Sequence, residues 1–275
     1  MARKRTKKTL VDVVIPVHGR FDILKDCLEA LPEAFGDISH SVYIVDNGSP
    51  DKEEARGFYS LLSNVSITKN QHNTGFPKAC NQGAKKGNSP LVFFLNSDVI
   101  LEQGSMDFLL RAMDDPKQGM VGMKLLFPSD EQLETASINK RIRPSQKVQH
   151  VGLATDIRAN VKHIFLGWDA DHKKVNAVKD VFALTGAALM VRREHFNRVG
   201  GFGLEYGLGT FEDVDLCMKI RELGYNISVI TEAVGTHYTG ATAEKYGAYF
   251  PLGKNQQIFL ERWMQKLPYT EWRHV

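Results

Sequence analysis

Apolar runs and amphipathic stretches alternate along the first half of the chain. Short apolar runs predict strands over residues 10–15, 42–45, 65–68, 91–95 and 120–127. Apolar residues at helical spacing and capping signals predict helices over about 21–31, 50–62, 77–86 and 105–114. Because strand–helix–strand units pack back onto a sheet with right-handed crossovers, this order predicts an α/β fold with a mainly parallel sheet and helices on both faces.

Local signals set several element boundaries. Pro16 is expected to end the first strand. Ser49, which precedes Pro50 and Asp51, has the pattern of an N-cap followed by a proline at the first helical position and a first-turn acid. In the second half, residues 181–191 predict a long strand, and helices are expected from about 210 and over 256–267, the last packing on the core.

Polar loops follow successive predicted strands and should meet at the carboxyl edge of the sheet, where open α/β sheets bind ligands. They lie at residues 16–20, 46–48, 73–76 and 96–98. The run 91–95 stops abruptly before Asp98, which makes this carboxylate a candidate for handling metal or phosphate, although an Asx-type turn would explain it equally. Phosphate-cradling patterns of the G-x-G-x-x-G and P-loop types are absent, which argues against dehydrogenase and P-loop classes.

Three acids crowd the first turn of the helix predicted near residue 210. They are Glu212, Asp213 and Asp215. The helix dipole favours acids at this end by about 0.3–1 kcal/mol each, which explains one or two of them. Mutual repulsion among all three would raise their proton affinity, and this is typical of a general base.

Composition and charge narrow the possible classes. The chain has 275 residues, 43% of them hydrophobic, and no apolar run near the ~20 residues that cross a bilayer, so we expect a cytoplasmic protein, free or peripherally bound to a membrane. Its three cysteines, Cys27, Cys80 and Cys217, are dispersed, which favours reduced core thiols without a structural metal.

Basic residues concentrate in two places although the net charge is only +3. The tail 1–9 carries five Lys or Arg residues and is either a solvated flexible terminus or a segment attracted to nucleic acid or anionic membranes. A second cluster faces only Asp156 and comprises Lys140, Arg141, Arg143, Lys147, Arg158 and Lys162.

Seven motifs in order resemble the family 2 inverting glycosyltransferases of GT-A fold, especially their rhamnosyltransferase-like branch. They are V-I-P-V-H-G-R from residue 14, V-D-N-G-S from 45, N-T-G-F-P-K-A-C-N-Q-G from 73, L-N-S-D from 95, G-G-F from 200, F-E-D-V-D-L-C from 211 and a lone His237. The resemblance covers roughly residues 11–242. It implies a Rossmann-like nucleotide-sugar-binding half (10–127), an acceptor-binding and catalytic half (128–250) and a C-terminal helical segment (251–275).

The resemblance also implies roles for individual residues. Donor-binding residues would be Pro16, Val17, Arg20, Asp46, Asn73, Gly75, Asn81, Asn96 and Ser97. Asp98 and His237 would hold Mn²⁺ or Mg²⁺, with Asn96 standing where the family motif D-x-D often has its first acid. Asp213 would be the base, Glu212 its support or an acceptor contact, and Asp215 a helix cap. Acceptor-side residues would be Gly186, Ala187, Lys140, Arg141 and Arg143.

These roles describe transfer of a sugar from a UDP- or dTDP-sugar to a hydroxyl on a saccharide or a lipid-linked saccharide. Mn²⁺ accepts imidazole more readily than Mg²⁺ does, so His237 favours Mn²⁺ slightly. Because the basic clusters could hold a polyanion, hydroxylated bases in DNA are the alternative acceptor. A nucleotidyltransferase would need a glycine- and lysine-rich loop after the first strand, and a non-catalytic nucleic-acid-binding protein would have no need of the ordered acids. The oligomeric state stays open.

Overall fold

One mixed sheet runs through the whole protein. The structure, a computed structural model, describes residues 10–129, 144–156, 160–240 and 250–267. Its strands are β1 (Val11–Val17), β2 (His40–Asp46), β3 (Val65–Lys69), β4 (Leu91–Leu95), β5 (Val99–Leu101), β6 (Gln118–Pro128), β7 (Pro144–His150), β8 (Leu153–Thr155), β9 (Val161–His163), β10 (Ala188–Arg192) and β11 (Asn226–His237). The main sheet has the order β3-β2-β1-β4-β10-β6-β11-β5, with β7 paired to β6, while β8 and β9 form a separate hairpin.

Seven α-helices flank this sheet in the described part of the chain. They are α1 (Phe21–Phe35), α2 (Lys52–Ser60), α3 (Phe76–Ala84), α4 (Ser105–Met113), α5 (Arg193–Arg198), α6 (Glu212–Glu222) and α7 (Leu252–Trp263). Helices α1, α2 and α4 pack on one face of the sheet, and α3, α6 and α7 contribute to the core on the other. The predicted α/β class with helices on both faces is therefore confirmed.

Strand β4 occupies the centre of the sheet and is buried on both faces, as its continuous apolar run predicts. Val92 and Phe94 face one core, while Leu91, Phe93 and Leu95 face the other. All five side chains are at most 6% exposed. The strand thus presents the residues that follow it from a rigid base at the carboxyl edge.

The second half adds antiparallel pairs that the sequence pattern did not predict. Strands β1 to β4 pair in parallel, but β10 is antiparallel to both β4 and β6, and β5 is antiparallel to β11. The predicted strand 181–191 is wrong in its first part, because only Ala188–Arg192 is a strand. The predicted domain boundary at 127/128 stays a prediction and falls at the end of β6.

Two boundary predictions are corrected. β1 does not end at Pro16 but continues to Val17. Beyond Val14 it pairs only with β2, so a proline at position 16 removes no hydrogen bond to β4. Ser49 is not the N-cap of α2. Asp51 takes that place, and its Oδ1 accepts a hydrogen bond from the Glu54 amide at 2.8 Å.

The C-terminal helix α7 packs on the core, as predicted, although it begins four residues earlier than expected. Its Phe259 and Trp263 are buried, as is Leu267 beyond it. The three cysteines are free and buried, in agreement with the sequence prediction. Among the described residues, no helix is both long and apolar enough to span a membrane.

A buried ion pair holds the amino edge of the sheet, opposite the polar loops. Arg193 Nη2 lies 2.6 Å from Asp12 Oδ2, and the Asp12 carboxylate also accepts hydrogen bonds from the amide and hydroxyl of Ser89 at 2.9 and 2.7 Å. The Asp12 side chain is only 2% exposed and that of Arg193 14%. Removing one partner would leave a buried charge without compensation.

We therefore expect Arg193→Met to lower the free energy of unfolding by about 3–5 kcal/mol, because the buried Asp12 carboxylate would lose its cationic partner. The measurement is urea denaturation of the variant beside Lys25→Met. Lys25 forms an exposed pair with Glu29 at 3.3 Å, and losing it should cost less than about 1 kcal/mol. Equal losses in the two variants would contradict the role given to burial.

Candidate functional site

Asp98 and His237 meet at the carboxyl edge of the sheet. Strands β5 and β11 pair antiparallel with His237 opposite Val99, and the Tyr238 amide donates to the Asp98 carbonyl at 2.9 Å. This pairing brings the His237 Nε2 atom to 3.3 Å from Asp98 Oδ1. Both side chains are about nine-tenths buried, at 10% and 13% exposure. The sheet therefore unites two residues that are distant in sequence, as the resemblance implied.

Gln149 orients the ring of His237. Its Oε1 atom lies 3.0 Å from His237 Nδ1, and its amide nitrogen contacts the Thr239 hydroxyl. With the amide nitrogen engaged in that way, Oε1 accepts the Nδ1 proton, and Nε2 is the ring nitrogen that faces Asp98. Such support of the distal ring nitrogen is typical of histidines that bind metal ions.

Two further histidines, His150 and His163, lie close to His237. His150 Nδ1 is 3.1 Å from His163 Nδ1, and His150 Nε2 accepts from the backbone amides of Gly152 and Thr185. Burial, followed by the positive charge of neighbouring histidines, lowers the pKa of His150 well below its usual value and also lowers the pKa of His163. Both rings therefore stay neutral near neutral pH.

The donor atoms at this edge fit a hard or borderline divalent cation. In the same loop, two residues before Asp98, the side-chain oxygen of Asn96 is buried without a hydrogen-bond partner among the described residues. One carboxylate, one imidazole and one amide oxygen form a set that Mn²⁺ accepts. No three His, Cys, Asp or Glu side chains gather into a metal cluster within the described residues, so other ligands would have to complete the coordination.

Asn47 is the centre of the loops beside β2. Its Nδ2 donates to the side-chain oxygen of Asn73 at 2.9 Å and to the Gly75 carbonyl at 3.2 Å. Its Oδ1 accepts from Asn70 and from the amide and hydroxyl of Thr74. Asn47 is 4% exposed, so it fixes the predicted donor residues Asn73 and Gly75 from beneath.

Asp46 closes the turn after β2. Its Oδ1 accepts from the Ser49 amide at 2.8 Å, and the Ser49 hydroxyl accepts from the Gly19 amide at 2.9 Å. This links the loop after β1 to the loop after β2. Gly48, with a φ of 76°, is required here because a Cβ would collide with the backbone of His72 and Asn73.

The other predicted donor residues are placed as follows. Pro16 and Val17 end β1, and Arg20 precedes α1 and forms an ion pair with Asp22 at 2.9 Å. Ser97 is 8% exposed between Asn96 and Asp98. Asn81 points elsewhere: its Nδ2 and Oδ1 bind the carbonyl and amide of Phe202 at 2.9 and 3.0 Å. Its amide thus joins α3 to the glycine turn, and contact with a donor stays a prediction.

The predicted acceptor residues Gly186 and Ala187 connect the Asn96–Asp98 loop with the acids at the start of α6. The backbone amide of Asn96 donates to the Ala187 carbonyl at 2.8 Å, and the backbone amide of Gly186 donates to Asp213 Oδ2 at 2.9 Å. Asp213 Oδ1 also accepts from the Val214 amide at 2.8 Å. Adjacent peptide groups therefore hold the Asn96–Asp98 loop and the start of α6 in a fixed relation.

Glu212 is buried beside Asp213, and its carboxylate is only partly hydrogen-bonded. It is 5% exposed, and its Oε2 has no hydrogen-bond partner in the described part of the chain. Burial, then the charge of Asp213, raises the pKa of Glu212 well above its usual value. Burial also raises the pKa of Asp213, although the amides of Gly186 and Val214 oppose the shift. The pair therefore holds a proton more tightly than free carboxylates do.

Asp215 does not cap α6, contrary to the sequence prediction. Its side chain is fully buried, and Oδ1 accepts from Arg262 Nη1 at 2.7 Å and from the indole nitrogen of Trp263 at 2.9 Å. Lys219 Nζ lies 2.6 Å from Oδ2. Because two of these partners lie on α7, Asp215 fastens α7 to the first turn of α6.

The predicted basic surface is only partly within the described residues. Lys140, Arg141, Arg143 and Arg158 lie outside them. Lys147 and Lys162 do not form a free basic patch, because they pair with Asp169 at 2.6 Å and Asp156 at 3.7 Å.

Sequence reasoning missed two residues that support the site. Asn47 stands inside the quoted V-D-N-G-S motif and could have been singled out by its place beside Asp46. Gln149 carries no local signal, because only the pairing of β7 with β6 brings it to the edge where His237 lies.

Solved structures of glycosyltransferases share this fold. GalNAc-T7, crystallised with UDP, GalNAc and Mn²⁺, matches 94% of this chain and 48% of its own with a TM-score of 0.68 and 16% identity. The mannosyltransferase PcManGT from Pyrobaculum calidifontis, in complex with GDP-Man and Mn²⁺, matches 84% of this chain and 57% of its own with a TM-score of 0.55 and 17% identity. The expected GT-A fold is therefore confirmed.

The curated relatives that match this chain are much longer than it is. The O-antigen biosynthesis protein RfbC of Myxococcus xanthus is 24% identical over 246 residues, which cover 84% of this chain and 17% of that protein. The pre-mycofactocin glycosyltransferase of Mycobacterium tuberculosis is 25% identical over 227 residues, which cover 82% of this chain and 42% of that protein. The chain thus spans less than half the length of these relatives.

A family model covers the first part of the site. The model described as Glycosyl transferase family 2 matches residues 12–176, which is more than half of the chain. The match includes the loops of Asp46 and Asp98 and stops before the acids of α6. This chain belongs to glycosyl transferase family 2.

Proposed function

We propose that this protein transfers a sugar from a nucleotide-diphosphate sugar to an acceptor hydroxyl. The observation that carries the proposal is the pairing of Asp98 with His237, in a loop that is joined through the backbone of Ala187 and Gly186 to Asp213. One end of this arrangement suits a charged diphosphate, and the other offers a carboxylate to a hydroxyl group. Family membership supports the same reaction class.

The donor would lie across the loops that follow β1 to β4. Solved neighbours are complexed with UDP or GDP-Man, which supports a nucleotide-sugar donor, and we favour a UDP- or dTDP-sugar. Asp46, Asn73, Gly75 and Ser97 would line this site. Asn47 holds the loop that follows β3 through hydrogen bonds to Asn73 and Gly75, so the shape of this loop should not depend on the ligand.

Asp98 and His237 would hold the divalent cation, with the side-chain oxygen of Asn96 as a third ligand. When bound, the metal would neutralise charge on the leaving diphosphate. Gln149 holds the His237 ring so that Nε2 is directed at this position. The neighbours that contain Mn²⁺ support a divalent metal, and the imidazole ligand favours Mn²⁺ over Mg²⁺.

Asp213 would accept the proton of the attacking hydroxyl. Each of its oxygens accepts one backbone hydrogen bond and keeps a second lone pair for the acceptor. Its raised pKa brings its proton affinity closer to what a base needs near neutral pH. Glu212 would support it electrostatically. Attack from the face opposite the diphosphate would invert the anomeric centre, as in the rhamnosyltransferase-like branch.

The acceptor would be a saccharide or a lipid-linked saccharide. A sugar acceptor needs a hydroxyl near Asp213 and no cationic surface. Within the described part of the chain, Lys147 and Lys162 are paired with acids, so DNA gains no support from them.

Asp98→Ala should abolish both Mn²⁺ binding and sugar transfer, because the two neutral ligands, the His237 imidazole and the Asn96 amide, cannot retain the ion without the carboxylate. Calorimetric titration with Mn²⁺ and an assay of nucleotide release from a panel of nucleotide sugars measure the two effects. Asp107→Ala, which removes an exposed acid on α4, should behave like the wild type. Full activity of the wild type in excess chelator would refute the metal site.

Asp213→Asn should lower kcat by about 10²- to 10⁴-fold, the usual contribution of a general base, while the donor still binds. Steady-state kinetics and titration with the nucleotide separate the two quantities. Asp37→Asn changes an exposed acid after α1 and serves as the control. If kcat of Asp213→Asn were unchanged, the base would be a different group, with Glu212 the next to test.

Glu212→Gln should become increasingly more stable than the wild type as the pH rises from about 4 to about 8. The folded protein raises the pKa of Glu212 above its unfolded value of about 4.3, so the favourable contribution of the protonated acid is complete below that value and is lost as pH rises through the folded pKa. A neutral glutamine avoids this loss. Urea denaturation across the pH series tests it, with exposed Glu53→Gln as the control; parallel curves for Glu212→Gln and wild type would contradict it.

A further inference from the structure

The turn that leads into Glu212 has an unusual backbone. Thr210 and Phe211 have φ values of 78° and 68°, in the left-handed region, and Gly209 has 137°. Each non-glycine residue in that region costs on the order of 1–3 kcal/mol unless its surroundings hold it there. No side chain caps α6 at Phe211 either. The conformation of this turn must therefore be imposed from outside it.

Asn255 of α7 supplies that constraint. Its Nδ2 lies 2.8 Å from the Tyr206 carbonyl, 2.6 Å from the Gly209 carbonyl, and 3.1 Å from both the carbonyl and the hydroxyl of Thr210. Because every partner is an oxygen, the nitrogen end of the amide must face the turn. Asn255 is 1% exposed, so water cannot replace it there.

The opposite side of the same turn contacts the predicted donor loop. The Phe76 amide donates to the Leu208 carbonyl at 3.2 Å. At Gly75 there is no space for a Cβ, because the Gly207 carbonyl occupies it. The turn 206–211 is thus held between Asn255 on one side and residues 75–76 on the other, directly before the acid pair.

We propose that Asn255 is a positioning residue for the transfer reaction. It holds turn 206–211 in the single conformation that places Glu212 and Asp213 on the acceptor side while the turn stays docked against the donor loop. Asn255 touches neither acid and acts through the backbone of Gly209 and Thr210. This role rests on the proposed function, because it concerns the geometry of the same acids.

Asn255→Ala tests this role in the 275-residue chain. We expect kcat per folded molecule to fall about 10- to 100-fold, since a displacement of about 1 Å at reacting groups costs up to about 10²-fold. The affinity for the nucleotide, measured by titration in the presence of Mn²⁺, should change less than about twofold. Gln257→Ala is the matched control on the same helix, because Gln257 is exposed and, among the described residues, its side chain bonds only Glu261, at 2.9 Å.

A second comparison separates positioning from loss of stability. Arg193→Met weakens the fold at the opposite edge of the sheet and should leave kcat per folded molecule unchanged, whereas Asn255→Ala should not. The folded fraction is taken from circular dichroism in the assay buffer. Should Asn255→Ala not fold, Asn255→Ser retains one donor and should show a smaller loss of kcat.

Three results would overturn the role. Wild-type kcat in Asn255→Ala, or in Asn255→Ser if only that variant folds, would overturn the role of Asn255 and leave the proposed function untouched. An equal loss of kcat per folded molecule in Arg193→Met and the Asn255 variant would also do so. A wild-type protein that releases nucleotide from none of a panel of UDP-, dTDP- and GDP-sugars would overturn the proposed function, and the role of Asn255 with it.

Discussion

The antiparallel pairing of β10 with β4 is the contact on which the site depends. It places Ala188 opposite Leu95, and the ladder continues by one hydrogen bond from the Asn96 amide to the Ala187 carbonyl. The next peptide group, that of Gly186, reaches Asp213. The spacing between the Asn96–Asp98 loop and the acids of α6 is therefore set by backbone groups at the end of a buried strand, which cannot shift without disrupting the centre of the sheet.

The two acidic positions sit in opposite electrostatic surroundings. Asp98 faces an imidazole, which leaves it able to share a cation. Glu212 faces another carboxylate and no cation, and burial favours its protonated form. One fold thus keeps a carboxylate available for a positive ligand at one end and retains a proton at the other, in the way that enzymes separate acid–base roles between like groups.

The sequence predicted what depends on local pattern and missed what depends on distant pairing. The apolar run before Asp98 identified the central strand and its carboxyl end, because burial on both faces leaves a direct compositional signal. The three-residue strand β5 leaves no such signal, so the contact of Asp98 with His237 followed only from family resemblance. Asp215 was misassigned for the same reason, since its partners lie 47 and 48 positions later on α7.

The dependence of α6 on α7 also orders the events of folding. Asp215 and its neighbours emerge from the ribosome well before Arg262 and Trp263, so until then a buried carboxylate lacks two of its donors. The sheet can assemble first, because all its described strands precede residue 238. A nascent chain at that stage would have the loops after β1 to β4 in place while α6 is not yet fastened to α7.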